Sequence, residues 1–165
     1  MGLLDKRVLE DKVPYDIWRD MGLLQTTPGN KVYYKYIVDW IKKIQDEHDI
    51  YIFKAGYDAW SAEYFVEDLK MNFGKEIPVA VSQTMKVLSS PMQQLGADLD
   101  SKRINYNNNP ITKWCLSNTA IVQDKNGNIK PHKTNKSRRR IDGLAAMLDA
   151  YVVYQENLEN YMNMI

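Results

Sequence analysis

The chain has 165 residues and a mass of 19.2 kDa, enough for one compact domain that buries about two thirds of its unfolded surface without staples. Its single cysteine, Cys115, excludes an internal disulfide framework and any CxxC zinc site. Lys plus Arg is 22 and Asp plus Glu is 21, so net charge names no partner; no apolar run approaches the roughly 18 residues that cross a bilayer.

The start, MGLLDKRVLEDK, is highly charged. Residues 1–12 are expected to fray, and their charges stand where a signal peptide needs its apolar segment. A soluble intracellular protein is the default. Val13-Pro14-Tyr15 opens a short helix through Trp18 and Met21, stopped by Gly22; Thr27-Pro28-Gly29-Asn30 is a turn. Tyr33, Ile37, Trp40, Ile41 and Ile44 recur with the period of an amphipathic helix and form its expected inward face. Ile50 to Tyr57 (IYIFKAGY) reads as a mostly buried strand ending at Asp58.

Trp60 to Phe73 returns to helical period, with Ala62, Phe65, Val66 and Leu69 inward, and Ile77 to Val81 is a second short strand. Ser89-Ser90-Pro91 predicts a helix start with a serine cap and proline in the first turn. Asn107-Asn108-Asn109-Pro110 breaks the chain before a short helix, Ile111 to Leu116. Asn126-Gly127 is a hairpin turn between Thr119–Gln123 and Asn128–Lys130. The final helix carries Ile141, Leu144, Ala145, Leu148, Tyr151 and Val152 at helical spacing, ahead of a polar tail.

Strands alternating with helices imply an α/β core with a parallel sheet. The expected organisation is a flexible N-terminus over 1–12, one domain over 13–155, and a tail over 156–165. Two core strands are few, because a two-stranded parallel sheet leaves both edges bare. Either the hairpin joins that sheet, or further strands of the fold lie outside this chain.

Two acids stand where chemistry collects. Asp58 lies just past a buried strand, and ligands of α/β sheets gather at strand carboxyl ends. A carboxylate there can bind a divalent cation through oxygen, or it can cap the next helix. Asp142 opens the last helix, where the helix dipole favours negative charge. If it faces Asp58 in a buried pocket, the two are either a protonated pair or a cation site. Between them runs the basic stretch Lys130, His132, Lys133, Lys136, Arg138, Arg139 and Arg140, with no acid among them. It is either a solvated loop or a phosphate-binding one. Cys115 reads as a packed thiol and His48 as an exposed residue. No GxGxxG or GxxxxGK[ST] loop occurs.

Several pieces, in order, carry a resemblance: Val13-Pro14-Tyr15-Asp16-Ile17-Trp18, Gly22-Leu23-Leu24, Thr27-Pro28-Gly29-Asn30, Tyr57-Asp58-Ala59-Trp60 and SSPMQQL from Ser89 to Leu95. After them stand Asn109-Pro110-Ile111 with Trp114, Ser117-Asn118, Asn126-Gly127-Asn128-Ile129-Lys130-Pro131, and Arg140-Ile141-Asp142-Gly143-Leu144-Ala145-Ala146. Over roughly residues 13 to 154 the ordered set resembles the nuclease domain of bacteriophage terminase large subunits, the motors that package viral DNA.

The resemblance implies a partial RNase H-like fold: a mixed sheet flanked by helices, plus a β-hairpin. It also implies hydrolysis of double-stranded DNA by two divalent cations, Mg2+ or Mn2+. Asp58 is the implied strand-end ligand and Asp142 the implied final-helix ligand. Lys130, Lys133, Lys136, Arg138 and Arg139 are the implied DNA-backbone contacts. Implied partners are double-stranded DNA, a terminase ATPase portion, a small subunit and a portal, with no membrane and a cytoplasmic location in a bacterial host. The family has a further Asp on its first central strand, ahead of anything matched here; Asp5 and Asp11 lie in a charged segment that cannot be that strand. The expectation is a domain cut inside its fold and weak or inactive alone. Its bare sheet edge would pair with a second copy or an N-terminal piece; the alternative is a non-catalytic DNA- or protein-binding remnant.

Overall fold

The computed structural model describes residues 2–29, 32–60, 63–134 and 139–164. Eight helices and four strands follow one another among them: α1 (Leu3–Asp11), α2 (Tyr15–Asp20), α3 (Tyr34–His48), β1 (Ala55–Asp58), α4 (Glu63–Phe73), β2 (Pro78–Val81), α5 (Met85–Asp100), α6 (Pro110–Asn118), β3 (Thr119–Gln123), β4 (Ile129–Lys133), α7 (Asp142–Glu156) and α8 (Leu158–Met162). Strands β1 and β2 pair in parallel, with Ala55 opposite Pro78 and Asp58 opposite Val81. Strands β3 and β4 form a separate antiparallel hairpin. Among the described residues the hairpin does not join the parallel sheet, so β1 keeps one strand neighbour and one open edge.

The core is built on α7. Leu144, Leu148, Tyr151, Val152 and Val153 pack with Leu88 and Leu95 of α5 and with Val81 at the end of β2. Leu88, Leu95 and Leu148 are each 1% exposed. The Tyr151 hydroxyl donates to Asp98 Oδ2 at 2.6 Å, tying α7 to α5 at its polar margin. Burial, together with that bond, pushes the Tyr151 phenol up to about 12.

Four elements depart from the sequence reading. The N-terminal segment is helical: the Gly2 amide donates to Asp5 Oδ2 at 3.0 Å, and Lys12 ends the turn with φ +56°. No residue of α1 is buried; its Asp11 accepts the hydroxyl of Tyr15 in α2 at 3.0 Å. Helix α5 starts at Met85, behind Thr84, and Pro91 lies inside it. Ser89 is not a cap: it is buried, and its Oγ accepts the Ile129 amide at 3.0 Å, fastening β4 to α5. Strand β1 begins at Ala55 and not at Ile50, because β2 offers only four residues to pair with. Helix α3 turns inward on Val38, with Tyr34 stacked on Phe65 of α4 at 5.1 Å, and leaves Trp40 45% exposed.

The chain exposes 11740 Å². A folded monomer of its mass exposes about 8,400 Å² by the usual surface scaling. Among the described residues, no helix is long and apolar enough to cross a membrane.

Candidate functional site

The carboxyl end of β1 is set by α7. At Gly56 an added Cβ would lie 2.7 Å from the carbonyl carbon of Asp149, closer still to its oxygen, and 2.9 Å from Val153 Cγ2. A glycine is required there for close approach, because the backbone of α7 lies directly on the strand. Phe53, just before β1, sits 6.1 Å from Tyr161 of α8, ring to ring. The end of α7 and the start of β1 therefore share one side of the molecule. The two contacts run in opposite chain directions, Gly56 against Asp149 and Val153, Phe53 against Tyr161.

Asp58 is exposed at that end. Its Oδ1 accepts the Trp60 amide at 3.0 Å and closes a short turn. The next helix, α4, runs Glu63–Phe73 among the described residues. Oδ2 is left for another partner. Asp142 is exposed at the first turn of α7. The start of α7 is fastened to α6 twice: Gly143 lies against Cys115, with an added Cβ 3.0 Å from the sulfur, and Asn118 Nδ2 donates to the Arg140 carbonyl at 3.1 Å. Cys115 is buried, and burial pushes its thiol up, with Asp142 adding to the effect.

A third acid enters that the sequence reading did not single out. Asp149 is buried, 7% exposed, on the face of α7 that meets the sheet. Its Oδ1 accepts from Gln83 Nε2 at 2.8 Å, and the same nitrogen donates to the Val81 carbonyl at 3.2 Å. Burial raises the Asp149 carboxyl; the Gln83 hydrogen bond works against that rise, and the charge of Asp58 adds to it. Asp149 thus lies within electrostatic reach of Asp58. Asp142 precedes it by seven residues, close to two turns, which places it on the same face about 10 Å further along.

The raised carboxyl has a consequence for stability. A raised folded-state value means that the native state holds the proton more tightly than the unfolded chain does. The resulting stability is present below the ordinary value of 3.8 and is lost as pH rises through the folded value. Asp149→Asn removes this titration. The variant's melting temperature, relative to the parent, is expected to rise between pH 4 and pH 7, as thermal unfolding monitored by circular dichroism checks.

The basic candidates divide. Lys130 and Lys133 lie on β4, three residues apart, so strand alternation points them to opposite faces of the hairpin. Lys130 is half-buried and Lys133 exposed. Arg139 is partly buried, while Lys136 and Arg138 lie outside the described residues. Two carboxylates are an all-oxygen donor set, suited to a hard divalent cation. Among the described residues no group of three or more His, Cys, Asp or Glu side chains gathers to hold a metal ion.

Residues 2–157 match the family model described as "Terminase large subunit, endonuclease domain". The chain belongs to this family. The terminase large subunit of Enterobacteria phage HK97 is 32% identical over 145 residues, covering 87% of this chain and 28% of that protein. Protein YmfN of Escherichia coli K12 is 30% identical over 151 residues, covering 88% of this chain and 31% of that protein. The crystal structure of the HK97 large terminase superposes with a TM-score of 0.78 at 29% identity, over 91% of this chain and 31% of that one. This terminase nuclease domain is thus an α/β structure of RNase H-like type, with small sheets flanked by helices. It spans less than a third of the length of these relatives.

Proposed function

We propose that this terminase nuclease domain contributes Asp58 and Asp142 to a site that hydrolyses phosphodiesters of double-stranded DNA during packaging. The observation that carries the reading is the seating of α7 on β1. Gly56, two residues before Asp58, abuts Asp149, seven residues after Asp142, which supports bringing the two acids to one end of the sheet. Asp58 offers Oδ2 while its Oδ1 is held by the Trp60 amide, and that turn fixes the carboxylate's direction. Asp142 is held in place by the contacts of α6 with Gly143 and Arg140. The oxygen donors fit Mg2+ or Mn2+, which when bound lower the pKa of water and neutralise the leaving oxygen.

Lys133 on the hairpin, with Lys130, Lys136, Arg138 and Arg139, is the proposed contact to the DNA backbone. Lys133→Ala is expected to weaken binding of a labelled duplex for all sequences alike. It should reduce the slope of log affinity against log salt by about one. Lys130→Ala, on the other face, should change it less. The open edge of β1 fits pairing with a further strand, from a second copy or from another terminase segment. The ATPase portion, small subunit and portal are proposed partners by family.

A second reading, binding without cleavage, is favoured by one observation: among the described residues no group of three or more His, Cys, Asp or Glu side chains gathers to hold a metal ion. Supercoiled plasmid with Mn2+ or Mg2+ separates the two. Nicking that is abolished in Asp58→Ala and in Asp142→Ala supports the nuclease site, and unchanged nicking in both removes it. Salt-sensitive DNA retention without nicking, insensitive to Asp58→Asn, supports the second reading.

A further inference from the structure

Asp149 and Gln83 are 66 residues apart in the chain and are drawn together beside Asp58. Gln83 follows the end of β2, and its single Nε2 bridges the last β2 carbonyl, Val81, and the buried carboxylate of α7. Both hydrogens of the amide nitrogen are thereby used. A buried acid on an apolar helix face costs stability unless it is bonded. Leu144, Leu148, Val152 and Val153 would hold α7 on the sheet without it. Apolar packing, however, does not specify axial position sharply, whereas a directed hydrogen bond does. The bond lies where α7 touches β1, at Gly56, two residues before Asp58 and two helical turns after Asp142.

We propose that Gln83 and Asp149 are a positioning pair: their hydrogen bond sets the axial register of α7 on β1 and hence the distance between Asp58 and Asp142. Neither residue is a catalytic one. Asp149 Oδ1 is held by Gln83, and Gln83 acts through the helix it holds. The inference rests on the Asp58–Asp142 reading. It concerns the free chain, so it can fail separately.

The test labels Ala59 and Ala146, both exposed, as cysteines with spin labels in a Cys115→Ala background and measures the distance distribution by pulsed dipolar spectroscopy. The measurement is repeated with Gln83→Ala, Asp149→Ala and Asp149→Asn. Asparagine keeps an oxygen that accepts from Gln83 and removes only the charge. The expected result is a broadened or shifted distribution in Gln83→Ala and Asp149→Ala, and a parental one in Asp149→Asn. Titration of the unlabelled variants with Mn2+ should show affinity falling about tenfold or more in the first two and retained in the third. Distributions unchanged in all three variants overturn the inference. So does Asp149→Asn losing Mn2+ affinity as fully as Asp149→Ala while its distances stay parental, because Asp149 would then act as a ligand. If Mn2+ binding is insensitive to Asp58→Asn while the distances respond as expected, the site reading fails and the register claim stands.

Discussion

Gly56→Ala is expected to destabilise the fold by about 3 kcal/mol or more, or to prevent folding, although it adds one methyl group at a half-buried position. Two of the three nearest obstacles to a Cβ there are backbone atoms of Asp149, the third being a methyl of Val153. A flexible side-chain tip could swing aside; a carbonyl inside a hydrogen-bonded helix cannot. Relief requires α7 to lift from the strand, which opens the packing of Leu148 and Val152 on Val81 and Leu88. Gly143→Ala is the internal comparison. Its new methyl would meet only the Cys115 side chain, at 3.0 and 3.3 Å, so the loss should be smaller. Chemical denaturation of the three proteins side by side checks the order parent, Gly143→Ala, Gly56→Ala.

Asp58→Asn and Asp142→Asn are expected to leave stability within about 0.5 kcal/mol of the parent, since both acids are exposed and neither holds packing. Their effect on cation binding and on metal-supported cleavage should be a loss of a hundredfold or more. Removing a charged ligand from a two-carboxylate site forfeits much of the attraction that offsets the cation's dehydration. A large functional loss with unchanged melting separates a ligand from a structural acid. The opposite pattern in either variant would mark that acid as a cap or surface charge.

Much of this was legible in the sequence because local signals and tertiary packing agree. The apolar run before Asp58 announces a strand, and Asp58 duly stands at its end; Asn109-Pro110 announces α6, with Asn109 Oδ1 accepting the Ile111 and Thr112 amides. The start of β1 was misplaced because a strand's length depends on its partner, and β2 is four residues long. The inward face of α3 was misjudged because its apolar residues wrap a broad arc. Which part is buried depends on where Phe65 of α4 lies. Helix α1 was missed because it has no buried face to betray it.

Asp149 was hidden for a different reason. It follows Leu148 and precedes Tyr151 and Val152 in a helix buried on most sides, so periodicity alone does not show which way an acid there points. The one available signal was an acid within an otherwise apolar helix. Gln83 had none, being a loop residue whose partner lies 66 positions away. The Asp58 and Asp142 pair, by contrast, came from motif order.

The most direct test of the central claim is a Mn2+ titration of the 15N-labelled chain, following paramagnetic broadening of amide signals. If both acids hold the same ion, the amides of Ala59 and Gly143 broaden together at the lowest Mn2+ additions, and Asp58→Asn or Asp142→Asn alone abolishes both effects. Broadening confined to one of the two segments, or surviving at Gly143 in Asp58→Asn, would show that the two carboxylates do not share an ion and would contradict the account.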